Sequence, residues 1–204
     1  MIYIVMQKLK AIIFDKDDTL MQDQVYNPAF GTKYFFEDVI PSCIKLKENG
    51  YSLFIISNQS GISKGNFEEK TLLLNYINLN LELNRKYNFN FDGFFYCPHL
   101  PEYNCNCRKP SKGLFDRLKS MFSIDSTHSF YLGDRLSDIY FAQNCSIIPV
   151  IIHRVDYLYK DKKIYDDFNQ IEILEEEGKV LVFNSIIDFV NMIIEFEKKD
   201  KRYI

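Results

Sequence analysis

The sequence predicts an α/β fold built on one mostly parallel sheet with helices on both faces. Three observations predict it. Short apolar runs rich in β-branched and aromatic residues recur along the chain, as strands buried on both faces do. Segments with helical spacing of apolar residues lie between them, so that strand and helix alternate. Acidic or hydroxyl residues follow directly after several of the apolar runs, at the strand ends where sheets of this kind bind ligands.

The first run, Leu9–Phe14, reads as a buried strand ending at Asp15. Residues 38–49 carry Val39, Ile40, Cys43, Ile44 and Leu46 at helical spacing, with Asn49 and Gly50 as the stop. Ser52–Ile56 is a second strand and ends at Ser57 and Asn58. A long amphipathic helix is expected over 67–87, on Leu72, Leu73, Tyr76, Ile77, Leu79 and Leu83. Phe94–Tyr96 is a short strand, and Ser111 is expected to cap a helix running to Phe122. Ser129–Leu132 is a strand ending in Gly133-Asp134, followed by a helix over 137–144 and a strand over Ile147–Ile152. Residues 154–178 are charged and carry no clear period. Lys179–Phe183 is the last strand, and Ser185 caps a closing helix to Lys198. No repeat or linker divides the chain, so residues 1–204 are expected to form a single domain. The insert between Asp15 and the second strand is too short for a large cap domain.

The 204 residues are 47% hydrophobic and 26% charged, which is the composition of a globular chain with a full core. A formal net charge of −3 speaks against a general nucleic-acid binder but leaves room for a local basic pocket around a small anion. The start, Met1–Met6, is apolar but has neither the basic flank nor the small-residue cleavage site of a secretory signal. No stretch approaches the roughly 18 apolar residues of a membrane span. A cytoplasmic monomer acting on a small phosphorylated metabolite is expected, with no nucleic-acid or membrane partner. In a reducing compartment clustered cysteines are metal ligands more often than disulfides. Cys43 and Cys145 lie in amphipathic stretches and read as packed thiols. His128 and His153 lack metal spacing and read as structural.

The segment 97–110 places Cys97, His99, Cys105 and Cys107 within eleven positions and follows them with Arg108 and Lys109. Three thiolates and an imidazole make a closed tetrahedral Zn²⁺ site, which is structural because no position is left for substrate. The loop therefore reads as a metal-braced holder of two cations that grip an anion. Asp15, Asp17 and Asp18 put three carboxylates in four positions at a strand end. Such a cluster suits a nucleophile on phosphorus, a second acid two residues on for proton transfer, and Mg²⁺ to offset the repulsion. Asp134 and Asp138 add carboxylates after another strand, with Asp134 the better metal ligand. Asp138 reads either as a group that supports the metal or as a first-turn acid favoured by the helix dipole. A hydroxyl at Ser57 and open amides in the loop to Gly65 suit a phosphoryl oxygen. Lys109 would neutralise the transferring phosphoryl group, and the Arg108 fork suits a carboxylate, a second phosphate or hydroxyls.

The order Asp-x-Asp-x-Thr at Asp15–Thr19, the hydroxyl Ser57, Arg108-Lys109-Pro110 and Gly133-Asp134 with Asp138 resembles the haloacid dehalogenase (HAD) superfamily of phosphatases. The Ser57–Gly65 run and the cysteine loop resemble its capless branch, subfamily IIIA. That branch holds the D-glycero-D-manno-heptose 1,7-bisphosphate and histidinol-phosphate phosphatases. The resemblance implies a Rossmann-like HAD fold and a Mg²⁺-dependent phosphomonoesterase working through an aspartyl-phosphate. It makes Asp15 the nucleophile and Asp17 the general acid/base. Asp15, Asp17 and Asp134 would hold Mg²⁺, with the backbone carbonyl of Asp17 as its contact. Ser57, Asn58 and Lys109 would bind the phosphoryl group, while Arg108 and Arg135 face the rest of the substrate. The same resemblance makes Cys97, His99, Cys105 and Cys107 the ligands of structural Zn²⁺. The Ser57–Gly65 run points to the 7-phosphatase activity on heptose bisphosphate, whereas the short His99-to-Cys105 gap points to histidinol phosphate. A nucleic-acid 3′-phosphatase and a zinc-stabilised binding protein without catalysis are the remaining alternatives. One residue departs from the family pattern: Asp18 stands where glycine is usual, at a turn where left-handed backbone angles are expected.

Overall fold

In the computed structural model, residues 8–23, 28, 30–154 and 162–200 are described. The reading of Met1–Met6, and the part of the unpatterned stretch over 155–161, lie outside the described residues. The strands β1 (Ala11–Phe14), β2 (Ser52–Asn58), β3 (Gly93–Cys97), β4 (Phe130–Gly133), β5 (Ile148–Ile152) and β6 (Leu181–Phe183) form one sheet. Their order is β3-β2-β1-β4-β5-β6, and every pairing is parallel. The chain winds outward from β1 to β3, then returns to the other side of β1 for β4. That reversal leaves a crevice at the carboxyl ends of β1 and β4.

Among the described residues, the helices α1 (Val39–Glu48), α2 (Glu69–Tyr87), α3 (Gly113–Met121), α4 (Leu136–Cys145) and α5 (Lys162–Glu176) join successive strands, and α6 (Ile186–Asp200) follows β6. Successive residues of the central strands feed opposite cores, as the two-residue period requires. Ile12, Phe14, Leu53 and Ile55 pack with Val39, Leu72, Leu79, Phe189 and Val190 beneath α1, α2 and α6. Ala11, Ile13, Phe54 and Ile56 pack with Leu114, Leu118, Phe141 and Ala142 beneath α3 and α4. A smaller cluster of Ile139, Ile151 and Ile171 seats α5 on the same side as α4. Between β1 and α1 the described residues make the bridges Asp17 to Met21 and Met21 to Phe35 and a single 3₁₀ turn, Thr32–Tyr34.

The structure corrects several expected boundaries. β2 runs two residues beyond its apolar run, because Ser57 and Asn58 still pair with Tyr96 and Cys97. Ladder hydrogen bonds are made by the backbone and are indifferent to side-chain polarity. Ser111 does not cap α3: its N–H donates to Arg108 O at 2.8 Å, and Lys112 occupies the N-cap without a side-chain bond. The start of α3 is tied instead by the Gly113 N–H to Asn106 O at 3.0 Å, and a Cβ on Gly113 would lie 2.4 Å from that oxygen. Ser185 does cap α6, its Oγ accepting from Asp188 N at 3.2 Å. The unpatterned stretch contains α5, whose buried contact Ile171 is set among charged and polar neighbours.

Candidate active site

Asp15 follows β1, Ser57 and Asn58 end β2, and Asp134 follows β4, so three parallel strands deliver them to one crevice. Lys109 arrives from the cysteine loop. Its Nζ lies 2.7 Å from Asp15 Oδ1, 2.7 Å from Asp138 Oδ1 and 2.6 Å from Tyr131 Oη. An ammonium carries three protons, and here each has an acceptor. The lysine is nearly buried, and burial alone would drive its proton off. Asp138 and Asp15 outweigh that and hold its pKa above the ordinary lysine range. The backbone of Lys109 is clamped from both sides by the Asn58 amide. The Lys109 N–H donates to Asn58 Oδ1 at 3.0 Å, and Asn58 Nδ2 donates to Lys109 O at 3.2 Å.

Asp138 sits one turn into α4, with its Oδ2 accepting from the N–H groups of Asp134 (3.3 Å) and Arg135 (3.2 Å). It is thus both a first-turn acid at the helix start and a partner of Lys109. Gly133 permits this, since a Cβ there would lie 2.4 Å from Asp138 Cγ. Asp15, Asp134 and Asp138 each bring a carboxylate oxygen to within 4.8 Å of the others. Asp134 Oδ1 is buried without a hydrogen-bond donor among the described residues. Burial, and then the charge of Asp138, push the Asp134 carboxyl well above its usual range. Asp15 is raised to about 6, chiefly by burial, with Lys109 pulling it down and Asp138 and Asp17 pushing it up. Crowded carboxylates and an orphaned buried oxygen fit a hard divalent cation, which takes oxygen ligands. The Asp17 carboxylate stands outside that cluster: Oδ1 meets Lys16 Nζ, and Oδ2 accepts from Gln59 Nε2 at 3.0 Å.

Asp18 takes φ 59°, the left-handed angle expected at this turn. Its carboxylate accepts from Asp23 N at 2.9 Å and faces Arg135 Nη2 at 3.3 Å, while Arg135 Nε donates to Asp134 Oδ2 at 3.2 Å. Arg108 donates to His99 O at 3.1 Å and lines the mouth. The whole opens into a cavity of about 840 Å³, whose outer wall includes Phe36, Phe67, Tyr140 and Phe168.

Behind the crevice, Cys97 Sγ, His99 Nδ1, Cys105 Sγ and Cys107 Sγ converge within 4.8 Å of one another. The separations run 3.5 Å (Cys97–Cys105), 3.3 Å (Cys97–Cys107), 3.4 Å (Cys105–Cys107), 3.6 Å (Cys97–His99) and 3.2 Å (His99–Cys107). Ligands about 2.0–2.3 Å from a tetrahedral Zn²⁺ would stand roughly 3.5–3.8 Å apart, so the four donors could hold that ion with little movement. Burial lifts Cys97 to about 12. At Cys105 burial is outweighed by hydrogen bonds from Cys107 and Cys97, which bring it to about 6. Cys43 and Cys145 are buried thiols packed in the two opposite cores, and His128 pairs with Asp125 at 2.9 Å on the surface. His153 meets Phe168 with ring centroids 4.1 Å apart and the ring planes tilted by 48°.

Asp15, Asp17, Ser57, Asn58, Arg108, Lys109, Asp134 and Arg135 all line the cavity, and Cys97, His99, Cys105 and Cys107 form the adjoining cluster. Sequence reasoning missed two. Tyr131, which supports Lys109 and is buried, is one of fourteen tyrosines and sits on the core-facing side of β4 with nothing local to mark it. Gln59 lies inside the Ser57–Gly65 run, and its signal was only its place beside Ser57.

The model of the polynucleotide kinase 3 phosphatase family matches residues 10–173. A D-glycero-beta-D-manno-heptose-1,7-bisphosphate 7-phosphatase of Haemophilus ducreyi is 31% identical over 187 residues, 89% of this chain and 96% of that protein. The histidine biosynthesis bifunctional protein HisB of Blochmanniella floridana is 33% identical over 154 residues, 74% of this chain but 43% of that protein. Among solved structures, the D,D-heptose 1,7-bisphosphate phosphatase of B. bronchiseptica, complexed with magnesium and phosphate, superposes with TM-score 0.74 at 21% identity. It covers 92% of this chain and 99% of that one. The L-2-haloacid dehalogenase of Xanthobacter autotrophicus shares the fold at TM-score 0.54 and 11% identity, over 91% of this chain and 98% of that one.

Proposed function

This chain belongs to the polynucleotide kinase 3 phosphatase family within the HAD superfamily, and from that premise we propose that it is a Mg²⁺-dependent phosphomonoesterase working through an aspartyl-phosphate. Its proposed substrate is D-glycero-D-manno-heptose 1,7-bisphosphate, from which the 7-phosphate is removed. The observation that carries the reading is Lys109 held between Asp15 and Asp138, beside a buried oxygen of Asp134 that has no partner among the described residues.

In the proposed reaction one Asp15 oxygen attacks phosphorus and the bond from phosphorus to the leaving oxygen breaks. The carboxyl proton of Asp17 passes to that oxygen as it departs. Water then attacks the aspartyl-phosphate, gives its proton back to Asp17, and the bond between Asp15 and phosphorus breaks. Lys109 and the Ser57 hydroxyl steady the phosphoryl oxygens, and Asn58 keeps Lys109 in place through its backbone. Asp15, Asp134 and the backbone carbonyl of Asp17 would hold Mg²⁺, which when bound offsets the charge between carboxylate and phosphate. Zn²⁺ on Cys97, His99, Cys105 and Cys107 would brace the loop that carries Arg108 and Lys109. Arg108 and Arg135 are proposed to meet the remainder of the substrate.

The heptose reading is supported by the relative that matches nearly end to end. Histidinol phosphate is the second reading, supported by the HisB relative and by the short gap between His99 and Cys105. The family's description names a polynucleotide phosphatase, but a formal charge of −3 is a poor match for a polyanion, whose binding rests on neutralised phosphates. Parallel assays with heptose bisphosphate, histidinol phosphate and a 3′-phosphorylated oligonucleotide test the proposal. Heptose bisphosphate should have the highest kcat/KM, and its hydrolysis should depend on added Mg²⁺. A higher kcat/KM on either of the other two would overturn the substrate. Failure to hydrolyse any phosphomonoester with Mg²⁺ present would leave a zinc-stabilised binding protein instead.

A further inference from the structure

Gln59 is 6% exposed and lies at the crossing of three parts of the site. Its Nε2 is 2.8 Å from Ser57 Oγ and 3.0 Å from Asp17 Oδ2. Its backbone N–H donates to Cys97 O at 2.7 Å. A primary amide nitrogen carries two protons, so both side-chain bonds form at once. The opposite amide orientation would set Oε1 against the Asp17 carboxylate, so the donor assignment follows from the network.

Two consequences follow for the chemistry. Ser57 accepts a hydrogen bond from Gln59, so its own proton is directed elsewhere, and Ser57 lines the cavity. Gln59 tethers Asp17 Oδ2 while Lys16 Nζ meets Oδ1, so the two contacts together fix the plane of the carboxyl group and the direction in which Oδ1 presents a proton to the leaving group. A carboxyl group free to rotate would present that oxygen only part of the time, and proton transfer falls steeply with misplacement.

We propose that Gln59 is a positioning residue that fixes the Asp17 carboxyl group for proton transfer, anchored to the cysteine loop through Cys97 O. The role rests on the aspartyl-phosphate reaction proposed above, with Asp17 as the acid. Gln59 acts through Asp17 and not on phosphorus.

The test compares single-turnover phosphorylation of the Mg²⁺-loaded enzyme by p-nitrophenyl phosphate and by phenyl phosphate. The first leaving group departs without a proton, whereas phenolate is a stronger base and needs one. In Gln59→Leu the rate with phenyl phosphate should fall about tenfold or more, a fraction of what a general acid contributes. The rate with p-nitrophenyl phosphate should change less than about threefold, which also reports a folded site. Asp17→Asn should widen the same gap at least as far, and adding Gln59→Leu to it should have little further effect, as residues acting in one unit do. Gln59→Met serves if the leucine variant does not fold. Equal slowing with both substrates would overturn the positioning role and leave a structural one. Unchanged rates with both would also overturn it. Turnover persisting in Asp15→Asn would instead bring down the underlying reaction, whatever Gln59→Leu does.

Discussion

Replacing Lys109 with methionine keeps most of the apolar stem and removes the charge. Two carboxylates then lose a partner at once, since Asp15 and Asp138 each stand 2.7 Å from the ammonium. Both contacts are almost closed to solvent, so water cannot take the place of the lysine. Breaking a buried pair from one side costs about 3–5 kcal/mol, because the charge left behind is uncompensated. For a chain of this length each kcal/mol moves the unfolding midpoint by about 2–4 °C, so a drop of roughly 6–20 °C is expected in the metal-free protein. The lysine titrates above its ordinary value in the folded state, so its contribution is whole below the ordinary lysine pKa and lost only as pH rises through the higher folded one. Lys109 also pulls the Asp15 carboxyl down toward about 6, so without it that carboxyl rises further, and the deficit of the variant should be smallest in mild acid and grow as pH rises through neutrality. On activity, loss of a preorganised cation at a developing charge costs about 10²–10³ in kcat. Thermal unfolding in EDTA and steady-state kinetics with Mg²⁺ measure the two effects. A midpoint within about 2 °C of wild type, together with near-native kcat, would show that neither the buried pairs nor catalysis depends on the Lys109 charge.

Three further outcomes are expected. Gly133→Ala drives a Cβ to 2.4 Å from Asp138 Cγ, so Asp138 must move off Lys109. Stability should fall by about 1–3 kcal/mol, as overpacking does, and phosphatase activity should fall with it; an unaffected kcat would count against the role of Asp138. Asp18→Gly relieves about 1–2 kcal/mol of left-handed strain but gives up the partly exposed pair with Arg135, worth about 0–1 kcal/mol, and the bond from Asp23 N. Denaturant melts should show a net change within about 1 kcal/mol. With a carboxylate gone from the mouth, KM for a phosphomonoester should fall, and a rise in KM would show that Asp18 helps by holding Arg135. Chelating the metal from the cysteine cluster should loosen the loop that carries Lys109 and lower kcat. Mg²⁺ alone should not restore it, whereas Zn²⁺ followed by Mg²⁺ should; full recovery with Mg²⁺ alone would remove the brace from the account.

Much of the site was legible because apolar strands end abruptly in polar residues. Asp15 and Asp134 stand directly after buried runs, and the sheet order brings those runs side by side. The cysteine loop was legible from ligand type and spacing alone. Asp138 was not decidable from sequence, since an acid in a first helical turn has a sufficient reason to be there. Only the absence of a Cβ at Gly133 and the reach of Lys109 give it a second one. Asn58 was expected at the phosphoryl group, and the structure turns its amide to the Lys109 backbone, a contact across 51 positions that no local pattern encodes. Ser111 failed as a cap because Gly113 is held by the cysteine loop, again a tertiary bond. The sequence does not mark α5 because, among the described residues, its buried contacts are Ile171 with Leu174 partly buried beside it.

The proposed reaction turns on phosphorylation of Asp15. Rapid acid quench of the Mg²⁺-loaded enzyme during turnover, followed by peptide mass spectrometry, looks for the phosphoryl group itself. One phosphoryl group is expected on the peptide that contains Asp15, formed at least as fast as turnover, and none in Asp15→Asn, which should be inactive with its fold intact. A phosphoryl group on another residue, or near-native turnover by Asp15→Asn, would contradict it.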